Sequence, residues 1–283
     1  MTADYHVHTS FSPDSEYKME DAVLDGIRLG LDEICFTEHV DYGVQTDWDD
    51  GTEVTYRTGL PGDPPLMPVK NADYPKYTAE LARLQEKYAG RITLKLGLEF
   101  GVQTETVEQY RTLFKRYPYD FIILSLHQIG NKELWDQAYM EGKTQSEYNR
   151  GYYEAMLQVI QEYKEYCVLG HMDLISRYDK NGAYPVTENL DVIAEILRTV
   201  IREGKGIELN TSCHRYGLPD LTPCREILRL YRDLGGEILT IGSDTHRSEH
   251  LGAYIPETRE ELKALGFDTF CTFDRMQPVF HRL

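Results

Sequence analysis

The chain has 283 residues, 41% of them apolar and 27% charged, a balance too polar for a membrane protein and too apolar for a disordered one. Thirty Lys and Arg against 47 Asp and Glu leave a formal charge of −17, with no basic excess to displace the counterions of duplex nucleic acid or to hold an anionic lipid surface. An anionic substrate would therefore need a local attraction that overrides the global field, and metal ions would supply one.

In chain order, short apolar runs alternate with amphipathic ones. Strands are expected at Tyr5–His8, Glu33–His39, Ile92–Phe100, Phe121–His127, Val168–Leu174, Gly206–Thr211 and Ile238–Asp244. Helical periodicity fills Met19–Leu29, Tyr74–Tyr88, Glu105–Tyr117, Ser146–Tyr166, Leu190–Glu203, Cys224–Leu234 and Pro256–Leu265, before a last extended run at Thr269–Met276. Runs such as FIILSL and EILTIG are apolar at consecutive positions, as in parallel strands covered on both faces. Regular β/α alternation predicts an α/β fold with a parallel sheet, and seven repeats in about 250 residues suit a closed barrel better than an open doubly wound sheet. The rhythm breaks at 41–73, rich in Gly and Pro, which reads as a long active-site loop within a single domain spanning 1–283. A second irregular stretch, Gln128–Lys143, holds Trp135.

Five cysteines, Cys35, Cys167, Cys213, Cys224 and Cys271, occur singly without a C-x-x-C pair, which predicts reduced thiols. The N-terminal MTADYHVHTS lacks the features of a signal peptide, and no window reaches the roughly 18 apolar residues of a membrane span. A cytoplasmic protein with no membrane partner is expected.

The histidines carry the functional signal. Of nine, six fall at C-terminal ends of predicted strands: His6 and His8 on the first, His39 on the second, His127 on the fourth, His171 on the fifth and His246 on the seventh. Glu99 ends the third strand and Asp244 precedes His246 by two. Barrel and doubly wound enzymes build their sites on this edge. Side chains two apart on a strand share a face, so His6 pairs with His8 and Asp244 with His246. Any one such histidine is more often a hydrogen-bonded core or rim residue; six at one rim, with carboxylates, are a ligand set for zinc, manganese or iron. With Asp14 as a ninth candidate, the donors exceed what one ion uses and imply two to three divalent ions, Glu99 suiting a bridge. Three such ions against three carboxylates leave about +3 locally inside a protein of −17, enough to hold a small anionic substrate. His214 and His250 read as rim residues and His281 as solvent-exposed.

The segments HVHTSFSPDS, FTEHVD, LGLEFG, SLHQIG, LGHMDLI, ELNTS and IGSDTH stand in the order found in the PHP (polymerase and histidinol phosphatase) superfamily, which the chain resembles from residue 4 to about 247. It is most similar there to the histidinol-phosphate phosphatases, through its length, the ELNTS strand followed by Arg215, and the closing TFCTFDRMQP. The resemblance implies a distorted seven-stranded (β/α)7 barrel with a trinuclear centre at the C-terminal ends of the strands. By position, His6, His8, Glu99 and Asp244 would hold one ion, Glu99, His127 and His171 a second, and Asp14, His39 and His246 a third, with Glu99, Asp244 and His246 at the catalytic centre. The Asp14 position is a histidine in many superfamily members, and the carboxylate hardens that site. The family's phosphate is held by metals with help from arginine; Arg177 and Arg215 are placed for it, and a guanidinium fork suits phosphate oxygens. Arg247 is a weaker candidate.

The implied reaction is hydrolysis of a small phosphomonoester, L-histidinol phosphate, in histidine biosynthesis. The leaving group would lie under the 41–73 loop near Asp41, Tyr42, Trp48 and Trp135. Other phosphatase chemistries are poorly supported: no cysteine has an arginine six positions on, and Asp47-Trp48-Asp49 lacks the Thr or Val of an aspartyl-nucleophile motif, having Gly51 instead. No NTPase P-loop or serine-hydrolase elbow occurs. The alternatives are another phosphoesterase of the superfamily acting on a nucleotide or phosphotyrosine, an amidohydrolase-like hydrolase, and a non-catalytic metal-binding module.

Overall fold

The computed structural model describes residues 1–59 and 64–283; residues 60–63 of the 41–73 loop lie outside the described residues. Seven strands, β1 (Ala3–Val7), β2 (Glu33–Val40), β3 (Thr93–Gly101), β4 (Phe121–Ser125), β5 (Val168–Leu169), β6 (Gly206–Asn210) and β7 (Leu239–Gly242), form one sheet in chain order. Every neighbouring pair is parallel. The ends meet where Val7 bridges Thr245, with the His8 amide donating to the Thr245 carbonyl at 2.9 Å. The order never reverses, so the sheet is a barrel and not a doubly wound sheet with a switch point.

The strands form where consecutive apolar residues can be buried on both faces: all five residues of Phe121–Ser125 are buried. Around them pack α1 (Met19–Leu29), α2 (Tyr74–Lys87), α3 (Val107–Phe114), α4 (Gln145–Glu162), the short α5 (Ile175–Tyr178), α6 (Leu190–Arg202), α7 (Arg225–Asp233) and α8 (Ile255–Ala264). On α6 the residues Ile193, Ile196, Leu197 and Val200 are buried at the spacing of one helical face. The α4 start is fixed by a capping box in which Thr144 Oγ1 accepts from the Glu147 amide and Glu147 Oε2 from the Thr144 amide. The α1 end is set by Gly30, whose φ of 74° only glycine adopts cheaply.

The N-terminal mouth of the barrel is closed by an antiparallel hairpin, β8 (Thr269–Asp274) and β9 (Gln277–Arg282). Phe273 packs on Phe121 with ring centroids 5.0 Å apart, and its amide donates to Tyr5 Oη at 2.7 Å. The sequence expectation of one extended run stopped at Met276. The hairpin turns through Arg275 and Met276, both at positive φ, where Asn or Gly would have signalled the turn. The outer strand also leaves Val279 and Phe280 exposed, so it shows no core-facing pattern. His281, expected to be solvent-exposed, is half-buried on this hairpin, its Nε2 2.8 Å from Thr272 Oγ1.

Four strands are shorter than expected. β4 stops at Ser125, β5 at Leu169, β6 at Asn210 and β7 at Gly242, leaving His127, His171 and Asp244 in the segments that follow. At Gly170 an added Cβ would press on Ile123 and Ser125, and the chain then turns at once, the Leu174 amide donating to the His171 carbonyl at 2.7 Å. The apolar letters of 168–174 thus belong to a short strand, a turn and the start of α5. The 41–73 loop carries a two-residue ribbon, Tyr56–Arg57 against Met67–Pro68, and the 128–143 stretch another, Gln128–Ile129 against Lys132–Glu133.

Candidate metal centre

All nine candidate donors converge at the C-terminal mouth of the barrel. The centre is Glu99 on β3, fully buried. Its Oε2 lies 3.1 Å from His6 Nε2, 3.4 Å from His8 Nε2 and 3.0 Å from His39 Nδ1. Its Oε1 lies 3.2 Å from His127 Nε2 and 2.9 Å from His171 Nε2. Asp244 Oδ1 faces His6 and His8 at 3.8 and 3.7 Å. Asp14 Oδ2 lies 3.3 Å from His39 Nε2 and 3.2 Å from His246 Nε2, and those two nitrogens are 3.3 Å apart. Four overlapping groups of donors are close enough to share an ion: His6, His8 and Asp244; His6, Glu99 and His171; His39, Glu99 and His127; and His8, His39 and His246.

The ring orientations come from residues behind the donors. His6 Nδ1 is 2.5 Å from Glu208 Oε1, and Glu208 Oε2 accepts from the His171 amide at 2.9 Å and from Asn210 Nδ2 at 3.1 Å. His127 Nδ1 is 2.8 Å from Asp41 Oδ1. His8 Nδ1 is 3.2 Å from Ser12 Oγ, which donates to Glu38 at 2.6 Å. Glu38 also accepts from the amide and hydroxyl of Thr9, fastening the loop after β1. His246 Nδ1 is 3.1 Å from the Asp244 carbonyl. An imidazole whose Nδ1–H is donated outward presents its Nε2 lone pair inward. Two glycines leave room for these supports: a Cβ on Gly101 would collide with the Asp41 carboxylate, and one on Gly242 with His6 and Glu208.

The inward atoms are left without partners. His6 Nε2, His8 Nε2, Asp14 Oδ1, His39 Nδ1 and Glu99 Oε2 are buried with no hydrogen bond among the described residues. Buried acceptors facing each other with no donor between them would be costly in a finished polar network, and divalent cations satisfy all of them at once. Nitrogen and carboxylate donors of this kind fit zinc, manganese or iron.

The titration of these groups follows from their crowding. Burial favours neutral Glu99, yet His6, His127 and His39 outweigh it and hold the carboxyl well below its ordinary range. Asp244 is likewise lowered despite burial, by His6, Arg177, Arg215 and His246, and Asp14 by His246 and His39. Burial works against a charged His127, but Asp41 and Glu99 prevail and raise it to about 9. Burial, reinforced by the neighbouring imidazoles, pushes His8 well down.

Beside the donors opens a cavity of about 450 Å³, lined among others by Asp14, His39, His127, Arg177, Arg215 and Trp135. Arg177, on α5, donates to Ser212 Oγ at 2.6 Å and to Asp244 Oδ2 at 3.2 Å, while its Nε is buried without a partner. Arg215 clamps the carbonyls of Ser243 and Asp244, both at 2.6 Å, where Asp244 has a φ of 55°, a conformation Asp tolerates better than most residues. Tyr216 lies under both guanidinium groups, 4.4 Å from Arg177 and 5.0 Å from Arg215. Arg247 and His250 also line the cavity. His214 is exposed and stacks on Tyr254, outside the residues lining the cavity. Of the four loop residues expected near a leaving group, Trp135 and Asp41 line the cavity, Asp41 with its carboxylate committed to His127. Tyr42 is buried against Tyr110, and Trp48 is exposed away from the cavity.

Sequence reading missed the supporting carboxylates Asp4, Glu38 and Glu208. Asp4 accepts from the amide and hydroxyl of Ser243 and from the Gly252 amide, tying the loop after β7 to β1. Each is a carboxylate inside a buried parallel strand, where an unpaired charge does not survive; that contradiction was the available signal.

The PHP domain family matches residues 4–212, and the chain belongs to that family. Its relatives include the histidinol-phosphatase of Lactococcus lactis subsp. lactis (strain IL1403), 32% identical over 281 residues, covering 97% of this chain and 95% of that protein. Another is the "Probable histidinol-phosphatase" of Clostridium acetobutylicum, 28% identical over 260 residues and 89% of each chain. Among solved structures, the histidinol phosphate phosphatase of Lactococcus lactis, crystallised with zinc, L-histidinol and phosphate, superposes with a TM-score of 0.81 at 30% identity over 98% of both chains.

Proposed function

We infer that this chain is a metal-dependent phosphoric monoester hydrolase, a histidinol-phosphatase converting L-histidinol phosphate to L-histidinol and phosphate. The observation that carries the reading is the set of buried, unpartnered donor atoms meeting between Glu99 and six histidines, next to two guanidinium groups. The Lactococcus relative, which binds zinc with L-histidinol and phosphate, supports the substrate.

Two to three divalent ions are assigned to the centre: His6, His8, Glu99 and Asp244 for one, Glu99, His127 and His171 for the second, Asp14, His39 and His246 for the third. Each set combines two imidazoles with one or two carboxylates, donors that suit zinc, manganese or iron, and Asp14 makes the third site harder than a histidine at that position would. Such ions, when bound, act as Lewis acids on a phosphoryl oxygen and bring the pKa of water into the neutral range. The chain itself does the rest. Glu99 and Asp244 remain ionised, so they hold cations and supply no proton. Glu208, Asp41 and Ser12 fix the imidazole tautomers. The Arg177 and Arg215 guanidinium groups, both at the cavity wall, are assigned to the phosphate oxygens. The fully buried positions of Glu99, His6 and His8 place their contacts in low-dielectric surroundings, which strengthens them. His246, on the rim beside Asp14, is assigned to the catalytic centre with Glu99 and Asp244. The five free thiols and the absence, among the described residues, of a helix long and apolar enough to cross a membrane support a cytoplasmic location.

The test is phosphate release by chelator-treated protein, before and after zinc or manganese is restored, from L-histidinol phosphate, p-nitrophenyl phosphate and a cyclic amide. Metal-restored release favouring L-histidinol phosphate is expected. Cleavage of the amide alone would replace this reading with an amidohydrolase, and no turnover under any condition with a non-catalytic metal protein.

A further inference from the structure

β6 ends at Asn210, and the chain turns at once into a short 3-10 helix, Thr211–Cys213. Asn210 caps that turn: its Oδ1 accepts from the Ser212 amide at 3.0 Å and also from the Ser212 hydroxyl. With the carbonyl oxygen engaged there, the amide nitrogen is aimed the other way, and Nδ2 donates to Glu208 Oε2 at 3.1 Å. Ser212 Oγ, having given its proton to Asn210, accepts from Arg177 Nη2 at 2.6 Å. Glu208 in turn holds His6 Nδ1 and the His171 amide. One line of hydrogen bonds therefore runs from Arg177 through Ser212, Asn210 and Glu208 to His6 and His171.

The line is closed to water. Asn210, Ser212 and Glu208 are each at most 1% exposed, and none of the three lines the cavity, so solvent does not stand in for a lost partner. Its middle member is specific to the residue type. An aspartate could cap the turn but would set a second carboxylate against Glu208, and a serine could cap it but has no second group to reach Glu208. The asparagine amide accepts on one side and donates on the other. Hydrogen bonds linked in this way polarise one another, so the line is stiffer than its separate contacts.

Resting on the phosphatase reading above, we propose that Asn210 and Ser212 are positioning residues that give the phosphate-side arginine and the metal centre a common support. Ser212 holds Arg177 in place. Asn210 holds Ser212 on one side and, through Glu208, His6 on the other. Neither residue touches substrate or ion. The two positions differ in what they govern: loss of Ser212 reaches the arginine alone, whereas loss of Asn210 reaches the arginine and the metal ligands together.

The experiment uses the full, zinc-loaded chain with the variants Ser212→Ala and Asn210→Leu, the second close in size but without polar atoms, and circular dichroism checks each fold. Calorimetric binding of inorganic phosphate and zinc affinity by chelator competition are read without turnover, beside KM and kcat for L-histidinol phosphate. Ser212→Ala should weaken phosphate binding and raise KM about fivefold, as expected when a charged donor loses one hydrogen bond, with kcat and zinc affinity within twofold of wild type. Asn210→Leu, measured for phosphate at saturating zinc, should show the same loss and in addition bind zinc about tenfold more weakly. A purely structural role would lower stability without this division between the two ligands. Phosphate affinity and KM within twofold of wild type in Ser212→Ala would overturn the proposal, and so would unchanged zinc affinity in folded Asn210→Leu; if Asn210→Leu does not fold, Ser212→Ala decides alone. If the wild-type chain hydrolyses no L-histidinol phosphate while phosphate and zinc binding still follow this pattern, the shared support stands and the proposed reaction falls.

Discussion

Glu208 gives the sharpest test of how the fold tunes its metal centre, because it touches no ion in the proposed arrangement. Its carboxylate accepts three hydrogen bonds: from His6 Nδ1 at 2.5 Å on one oxygen, and from the His171 amide at 2.9 Å and Asn210 Nδ2 at 3.1 Å on the other. Glu208→Gln preserves volume but replaces one acceptor oxygen with an NH2 donor. If that NH2 faces His6, the imidazole must move its proton to Nε2, and its metal-binding lone pair is lost. If it faces the other way, the buried His171 amide is left unpaired at a cost of about 1–3 kcal/mol. Either way His6 or the His171 turn loses its fixed orientation. Loss of such a support typically weakens metal binding ~10–100-fold, about 1.4–2.7 kcal/mol. Competition against a fluorescent zinc chelator at pH 7.5 measures it directly, with circular dichroism confirming the fold. Zinc affinity within twofold of wild type in a folded Glu208→Gln protein would refute the reasoning.

Tyr110 is fully buried, and its hydroxyl lies 2.8 Å from the carbonyls of both Val40 and Gly101 while accepting from the Tyr42 amide at 3.0 Å. Tyr110→Phe strands that amide beside Asp41, and urea unfolding should show a loss of about 1–3 kcal/mol; no loss would mean the staple is not formed. Asp173 offers a pH signature. Burial raises its carboxyl to about 7, so the folded chain keeps a proton that the unfolded chain releases near pH 4. Its stabilising contribution is full below pH 4 and is lost as pH rises to 7, by up to about 4 kcal/mol. In metal-free protein, Asp173→Asn should therefore gain stability relative to wild type between pH 4.5 and 7.5, measured by urea melts at both; a pH-independent difference would remove the assignment.

The clustering of the candidate donors was legible because histidines and carboxylates are conspicuous at the ends of apolar strands. His6, His8, Glu99 and Asp244 stand out in buried runs where nothing polar belongs without a partner. The barrel was legible from alternation, and its closure follows from the unreversed strand order. What the letters hid were features with no local signature. His171 lies in a turn and not on a strand, since the apolar letters after Gly170 serve a turn and α5 equally well. The Arg275-Met276 turn carries none of the residues that mark a hairpin. Asp41 looked available to a ligand from its place in a loop, yet only the three-dimensional approach of Gly101 reveals that it backs His127. Arg57 and Glu133 are 76 positions apart, so their pairing at the cavity wall could not be read from either segment.

In the proposed arrangement, nine side chains drawn from seven segments of the chain hold a cluster of divalent ions. Anomalous diffraction from crystals grown with zinc, recorded on both sides of the zinc edge, tests it most directly. Two or three peaks are expected between Glu99 and its surrounding histidines, about 2.0–2.3 Å from the donor atoms. A map with no peak there, or with zinc only at surface sites, would contradict it.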